Sequence, residues 1–415
     1  MKNGRRVVIT GLGALTPVGI SVKETWDGLC EGRSGITRIT RFDPSAFGTQ
    51  IAGEVKGFDA TNYMDRKVAR RTDLFAQYAI AATRMAFADA NLEMTEHTSQ
   101  RTGVILGTTM GGIGTLCHNV LLPGQGNLEG VSKMLASMYI PSAGANDISV
   151  MFGIRGPSRG ISTACATGGH AIGDAVRFIQ YEEADVMVAG ASEAQIVPVF
   201  VDSMSRLRAT STHNSEPERA SRPFDLHRDG LVSGEGAGVL VLEALESALE
   251  RGAHIYAEIT GFASNIDAYH ATKPDFESQA RCITLALKDA QLDPSDVEYV
   301  NAHGTSTILG DLSETQALKK AFGEHAKRLM VSSNKSMLGH MWSASGSIDA
   351  IITALTLEKG IIPPTTNYET PDPECDLDYV PNVKREIRVK TAISQSFGFG
   401  GMNAVLAFRR WDDGD

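Results

Sequence analysis

The chain has 415 residues, 42% of them apolar and 21% charged, with a formal net charge of −10. That length and ordinary globular composition allow one large α/β unit or two to three domains, with a sizeable core. The acidic balance argues against nucleic acid as a general partner, and no apolar run reaches the roughly 18–20 residues of a membrane span.

The opening stretch, MKNGRRVVITGLGALTPVG, is basic and then apolar. Gly11, Gly13 and Pro17 interrupt it, so it reads as a buried strand over 5–11 and a Gly-rich turn, not as a signal peptide. A helical period follows over Thr72 to Ala90, then an apolar strand pattern at 102–109. Thr167 to Tyr181 reads as a helix, and 184–192, 236–243 and 255–263 as strands. Helical patterns at Ser278 to Ala290, Ser313 to Phe322 and Ser345 to Glu358 then alternate with strand patterns at 297–305, 328–334 and 391–401. Such alternation indicates βαβ units and mainly parallel sheets. VVITGLG at 7–13 is echoed by AEITGFA at 257–263, which suggests a duplicated α/β unit. The expected division is 1–252 and 253–411, with a polar tail at 412–415.

Four clusters carry chemical potential. The first surrounds Cys165, where a run of small residues passes into a helical pattern through Thr167, Gly168 and Gly169. A cysteine at a strand-to-helix turn near a helix N-terminus is placed to act as a nucleophile, and the helix dipole favours its thiolate. Cys30, Cys117, Cys282 and Cys375 lack this context and read as fillers. No CxxC pair occurs, which argues against a disulfide framework or a zinc site and for a cytoplasmic setting. In the second cluster, VNAHGTST, a strand delivers His303 into a turn, with Thr305 and Thr307 expected on the same side. In the third, SSNKSMLGHMWSASG, Lys335 precedes His340, and its charge would keep the imidazole neutral. Glu314 is a candidate partner for that lysine. The fourth, SFGFGGMN, is a Gly-rich loop holding Phe397 and Phe399, suited to a hinge with an aromatic gate or to anion binding. It does not match a P-loop.

ACATGGHAIG, AHGTST, NKSMLGH and FGFGG together resemble the signature blocks of elongating β-ketoacyl-acyl-carrier-protein synthases, and the likeness runs from about Arg5 to Arg410. The resemblance implies a thiolase fold of two similar α/β halves in five layers, α-β-α-β-α. It implies an acyltransferase that condenses a Cys-bound acyl chain with a malonyl extender, in fatty-acid or polyketide synthesis, as a homodimer or with a chain-length-factor partner. It implies that Cys165 takes the acyl group and that His303 and His340 promote decarboxylation. Lys335 would order the site with Glu314 and Asp311 behind it, and Phe399 would be the gate. The N–H groups of Cys165 and Phe399 would form the oxyanion hole, and Gly400, Met110, Tyr139 and Ile140 would contact substrate. No metal, nucleotide or other cofactor is implied, because substrates arrive on the phosphopantetheine arm of an acyl carrier protein. Carrier proteins are acidic, so Arg66, Lys67, Arg70 and Arg71, with Arg206 and Arg208, form a candidate docking patch.

The chain departs from the family's usual blocks at Ile308, Leu338, Met402 and Met341-Trp342-Ser343, residues expected to border the site. PECDLDYVP at 373–381 is shared with ketosynthases of aromatic polyketide systems, so the pathway stays open. A thiolase would need a second catalytic cysteine, and a non-catalytic partner subunit would normally lack the first. The intact Cys-His-His set favours neither, and it differs from the Cys-His-Asn set of ketosynthases that start chains on acyl-CoA.

Overall fold

The VVITGLGAL run forms a fully buried strand, β1 (Val7–Leu15). Both faces are covered, which is why the run is continuously apolar or small. Gly11 lies inside this strand as expected, and Gly13 lies inside it too, not in the turn expected beyond residue 11. A Cβ at either position would sit 2.3 Å from the carbonyl of Ala86 or 1.9 Å from that of Ala82. The two glycines therefore admit helix α1 (Leu74–Asp89) against the strand. The structure is a computed structural model and describes residues 4–412. Most of the expected 412–415 tail therefore lies outside the described residues, and Asp412 is exposed.

The remaining strands of the main sheet are β2 (Thr102–Gly107), β3 (Ser158–Ile161), β4 (Val186–Glu193) and β5 (Gly236–Ala244). They continue with β6 (Ala257–Ile266), β7 (Tyr299–Asn301), β8 (Met330–Ser332), β9 (Thr391–Gly398) and β10 (Met402–Arg410). Between them lie α2 (Thr167–Gln180), α3 (Phe276–Ala290), α4 (Ile308–Phe322) and α5 (Ser343–Lys359). Hydrogen bonding links the strands in the order β8-β7-β9-β10-β6-β1-β5-β4-β2-β3. Outward from the β1–β6 junction, each half runs first strand, last, fourth, second, third. The three-residue echo thus marks a real duplication of topology.

The mainly parallel sheet expected from the alternation is mixed. β4, β2 and β3 run parallel, as do β9, β7 and β8, but the β4–β5, β5–β1, β9–β10, β10–β6 and β1–β6 ladders are antiparallel. The four-residue β3 and the nine-residue β10 were not legible as strands. The strand expected at 297–305 ends at Asn301, and the one at 391–401 ends at Gly398.

Five layers follow from what each helix touches. α1 covers β1, β5 and β4 on one outside face, and α3 covers β6 and β10 on the other, with α4 against α3. α2 and α5 pack on each other and on strands of both halves, so they form the middle layer. The largest apolar cluster sits there, including Ile172, Val176, Ile348 and Leu355 with β1, β5 and β10 side chains. The middle helices approach closely because Gly168 and Gly346 face each other. A Cβ on Gly346 would lie 2.7 Å from the backbone nitrogen of Gly169. The active-site loops emerge at the ends of these layers.

Candidate active site

Cys165 stands between β3 and α2, as expected, and is 3% exposed. The turn that presents it is bent at Ala164, whose φ of +51° is uncommon for a residue with a side chain. Thr167 stabilises that bend: its Oγ1 donates to the Ala164 carbonyl at 2.6 Å and accepts the Thr163 N–H at 2.8 Å. The backbone N–H groups of Phe399 and of Cys165 itself act on the sulfur to favour its thiolate.

The short β7 releases the chain into the His303 turn. Glu314, on α4, accepts the N–H of His303 and of Gly304, both at 2.7 Å. Asp311 accepts the N–H of Ser306 at 3.1 Å and of Phe224 at 2.7 Å. The turn is not extended, since Gly304 and Ser306 have φ of +34° and +67°. Thr305 and Thr307 still face the same cavity as His303, and their hydroxyls lie 2.9 Å apart.

Lys335 is buried, and its Nζ binds Asp349 Oδ2 at 2.8 Å. The expected pairing with Glu314 does not form: Glu314 and Asp311 hold the His303 turn, while Asp349 on α5 neutralises the lysine. The sequence marks Asp349 as an isolated charge but does not pair it with Lys335. Asp349 is a charge inside the otherwise apolar face IDAIITAL, and a buried charge requires a partner.

The rings of His303 and His340 lie 5.3 Å apart, nearly perpendicular at 86°. One ring nitrogen of each, and Cys165 Sγ, all lie within 4.8 Å of one another. Burial, then the Lys335 ammonium, holds both imidazoles well below the usual histidine range, and His340 further depresses His303. Both are therefore neutral near pH 7. Such a donor set has the ligand types of a zinc site, but the ammonium that disfavours imidazolium also disfavours a bound cation. The thiolate expected at Cys165 is not the resting form. Burial pushes the thiol up to about 12, against the pull of the Phe399 N–H and of Lys335. Desolvation in an apolar cluster outweighs the helix terminus. Burial likewise raises Glu314 to about 7 and Asp311 to about 6.

A cavity of about 350 Å³ reaches this group from the surface. Its walls include Thr305, Thr307, Ile308, Phe399 and Gly400. Cys165 also belongs to an apolar cluster with Met110, Ile113, Phe200, Leu231 and Trp342, of which Leu231 lines the cavity. Tyr139 and Ile140 do not line the cavity of this chain: Tyr139 is exposed and Ile140 packs toward α1. Among the departures, Ile308 lines the cavity and Trp342 stacks on His340 at 5.2 Å and 14°. Ser343 donates to Glu193 at 2.6 Å, and Glu193 also holds the Thr109 and Met110 N–H groups. Leu338 and Met341 belong to the main core and Met402 packs against it, so these three do not border the site. Arg66, Lys67, Arg70 and Arg71 are exposed on and beside the helix Arg66–Ala69. Arg206 is paired with Asp202 at 2.7 Å, and Arg208 lines the cavity mouth.

The Beta-ketoacyl synthase N-terminal domain family matches residues 4–248, and the corresponding C-terminal domain family matches residues 256–369. The chain is 46% identical, over 99% of its length and all of the relative's, to the 3-oxoacyl-[acyl-carrier-protein] synthase 2 of Staphylococcus aureus (strain COL). It is equally identical, over 98% of both chains, to the protein of that name from Synechocystis sp.. Among solved structures, a Beta-ketoacyl synthase from Burkholderia phymatum STM815 superposes with a TM-score of 0.93 at 37% identity, over 98% of this chain and all of that one. The ishigamide ketosynthase/chain length factor gives 0.93 at 35% identity, over 99% of this chain and all of that one. A type II polyketide acyl-carrier protein in complex with its hexaketide-bound ketosynthase gives 0.91 at 37%, with the same coverage.

Proposed function

The chain belongs to the β-ketoacyl synthase family, and from that premise we propose that Cys165, His303 and His340 carry out decarboxylative Claisen condensation on carrier-bound substrates. The observation that carries this is the meeting of Cys165 Sγ and both histidines within 4.8 Å at the end of a cavity open to the surface.

An acyl-carrier thioester enters along that cavity. Sγ attacks its carbonyl as the thiol proton passes to neutral His303. The N–H groups of Cys165 and Phe399 stabilise the oxyanion; a typical donor of this kind contributes about 2.7–4 kcal/mol. The carrier thiolate leaves and takes the proton back from His303. A malonyl-carrier thioester then binds, and His303 and His340 donate hydrogen bonds to its thioester oxygen. Carbon dioxide departs, leaving the electron pair of the broken C–C bond as an enolate. The enolate carbon attacks the acyl-Cys165 carbonyl, Sγ leaves, and one proton from solvent restores the thiol. The product is a carrier-bound β-ketoacyl chain two carbons longer. The scheme needs no metal or nucleotide, and five free cysteines suit a cytoplasmic setting.

Lys335, neutralised by Asp349, orders the histidines, and Phe399 gates the cavity. Thr305, Thr307 and Gly400 line the path of the arm, and the exposed Arg66, Lys67, Arg70 and Arg71 supply the docking charge. The two halves divide near 252/253, between the two family matches. The chain dimerises, with itself or with a chain-length-factor-like subunit, through the face that holds the edge strand β3. Val120, Leu121, Tyr139 and Val150, in the helices between β2 and β3, are also exposed. An edge strand such as β3 seeks a partner strand.

A thiolase is disfavoured because the Gly-rich loop carries Phe399 where a second cysteine would be needed, and Cys375 is buried away from the cavity. The 373–381 block shared with aromatic polyketide systems packs around Tyr379, which stacks on Phe224 at 4.0 Å, and none of it lines the cavity. It therefore does not select the chain that Cys165 carries. The test is incubation with a panel of acyl-carrier proteins, then malonyl-carrier protein, with adducts and product lengths read by mass. An acyl adduct on Cys165 and two-carbon extension are expected. Folded protein without an adduct would favour a non-catalytic subunit.

A further inference from the structure

A neutral imidazole has one N–H and one lone pair, and its neighbours decide which nitrogen holds which. His340 Nδ1 lies 3.0 Å from Ser345 Oγ. The same oxygen accepts the Met341 N–H at 2.9 Å. The hydroxyl has a single proton, and His340 Nδ1 is the only acceptor it meets among the described residues. If Nδ1 carried a proton, Ser345 Oγ would accept twice and its own proton would be buried without an acceptor. That arrangement costs about 1–3 kcal/mol. Nδ1 is therefore the acceptor, and the proton sits on Nε2, which is buried with no protein partner.

Two further features hold the ring in place. Trp342 stacks on it at 5.2 Å and 14°. Trp342 itself is held at φ +50°, ψ −118°, a strained conformation for an aromatic residue, by the turn into α5. A 180° flip of the imidazole would place a carbon against Ser345 Oγ and lose the bond. His303 has no equivalent constraint. Its backbone N–H is tied to Glu314, but its Nδ1 is buried without a partner.

We propose that Ser345 is a positioning residue that locks His340 as a permanent hydrogen-bond donor through Nε2–H, leaving His303 as the histidine that accepts and returns the Cys165 proton. This rests on the decarboxylating role given to the site above.

The test is ¹⁵N NMR of histidine-labelled protein at pH 7.5, with His340 assigned by the signal lost in His340→Asn. The wild type is expected to show His340 as the Nε2–H tautomer. Ser345→Ala should shift it toward a mixture or toward Nδ1–H, and Ser345→Thr, which keeps the hydroxyl, should restore it. Malonyl-carrier decarboxylation should fall roughly tenfold in Ser345→Ala, about the worth of one hydrogen bond. Acylation of Cys165, followed by mass, should change less than about twofold. An Nδ1–H tautomer in the wild type, or an unchanged tautomer in Ser345→Ala, overturns the proposal. So does equal loss of both half-reactions, which would mean a packing defect. Failure of the wild type to decarboxylate would instead refute the functional reading, since the tautomer is measured independently of turnover.

Discussion

At the scale of residues, the site is a set of buried groups each held by a particular partner. Lys335 depends on Asp349, so Asp349→Asn leaves an ammonium buried against a neutral amide. Breaking a buried pair in this way costs about 3–5 kcal/mol, and we expect a lower melting temperature together with weaker condensation. Glu314→Gln is expected to act differently. It loosens the His303 turn, slowing turnover while leaving the Lys335–Asp349 pair intact. If Glu314→Gln were the more destabilising of the two in thermal melts, the assignment of Asp349 would fail. The depressed histidines also set a pH dependence. Unfolded histidine binds a proton near pH 6.5, whereas His303 and His340 in the fold do so only well below that. Their stabilising contribution is therefore complete above about pH 6.5 and is lost as the pH falls toward the folded values. Melting temperatures from pH 7.5 down to 5 should fall more steeply for the wild type than for His303→Asn/His340→Asn; parallel curves would contradict this. The nucleophile, both histidines and the lysine were legible in the sequence, because each sits in a short block whose chemistry is local. The lysine's partner was not, because fourteen residues separate Lys335 from Asp349 and only the packing of α5 brings them together.

At the scale of elements, catalysis depends on how closely two helices approach. α2 begins two residues after Cys165, and α5 begins three residues after His340. Their crossing at Gly168 and Gly346 therefore sets the distance between Cys165 and His340. Gly346→Ala would place a Cβ 2.7 Å from the Gly169 nitrogen and 2.9 Å from Ser396 Oγ, neither with room to yield. Overpacking of this kind costs about 1–3 kcal/mol. We expect a lower melting temperature and slower Cys165 acylation, measured by mass after rapid quench. Wild-type acylation kinetics in a destabilised variant would show that the crossing does not position the sulfur. The long helices were legible from their period. β10 was not: it follows β9 after a tight Gly-rich turn, and the turn read as a loop that absorbed the strand beyond it.

At the scale of the whole molecule, an acidic chain must still attract an acidic carrier. Arg66→Glu/Arg70→Glu reverses charge on an exposed helix outside the cavity. We expect the KM for acyl-carrier protein to rise roughly tenfold and its salt dependence to flatten, with kcat unchanged. Acylation of Cys165 by a small pantetheine thioester should be unaffected. An unchanged KM at low salt would remove this helix from the docking surface. The sequence by itself determined the family, because a cysteine at a helix start, two histidines in strand-end turns and a Gly-rich aromatic loop are local patterns that carry their meaning in a few residues. It also hinted at duplication through two Thr-Gly strands. Only the tertiary structure decided that the sheet is mixed, that Asp349 and not Glu314 neutralises Lys335, that Cys165 rests as a thiol, and that Ser345 Oγ meets His340 Nδ1. Those four depend on which groups share a water-poor space. Desolvation and hydrogen-bond pairing there are set by contacts across the middle layer, which no local pattern in the chain records.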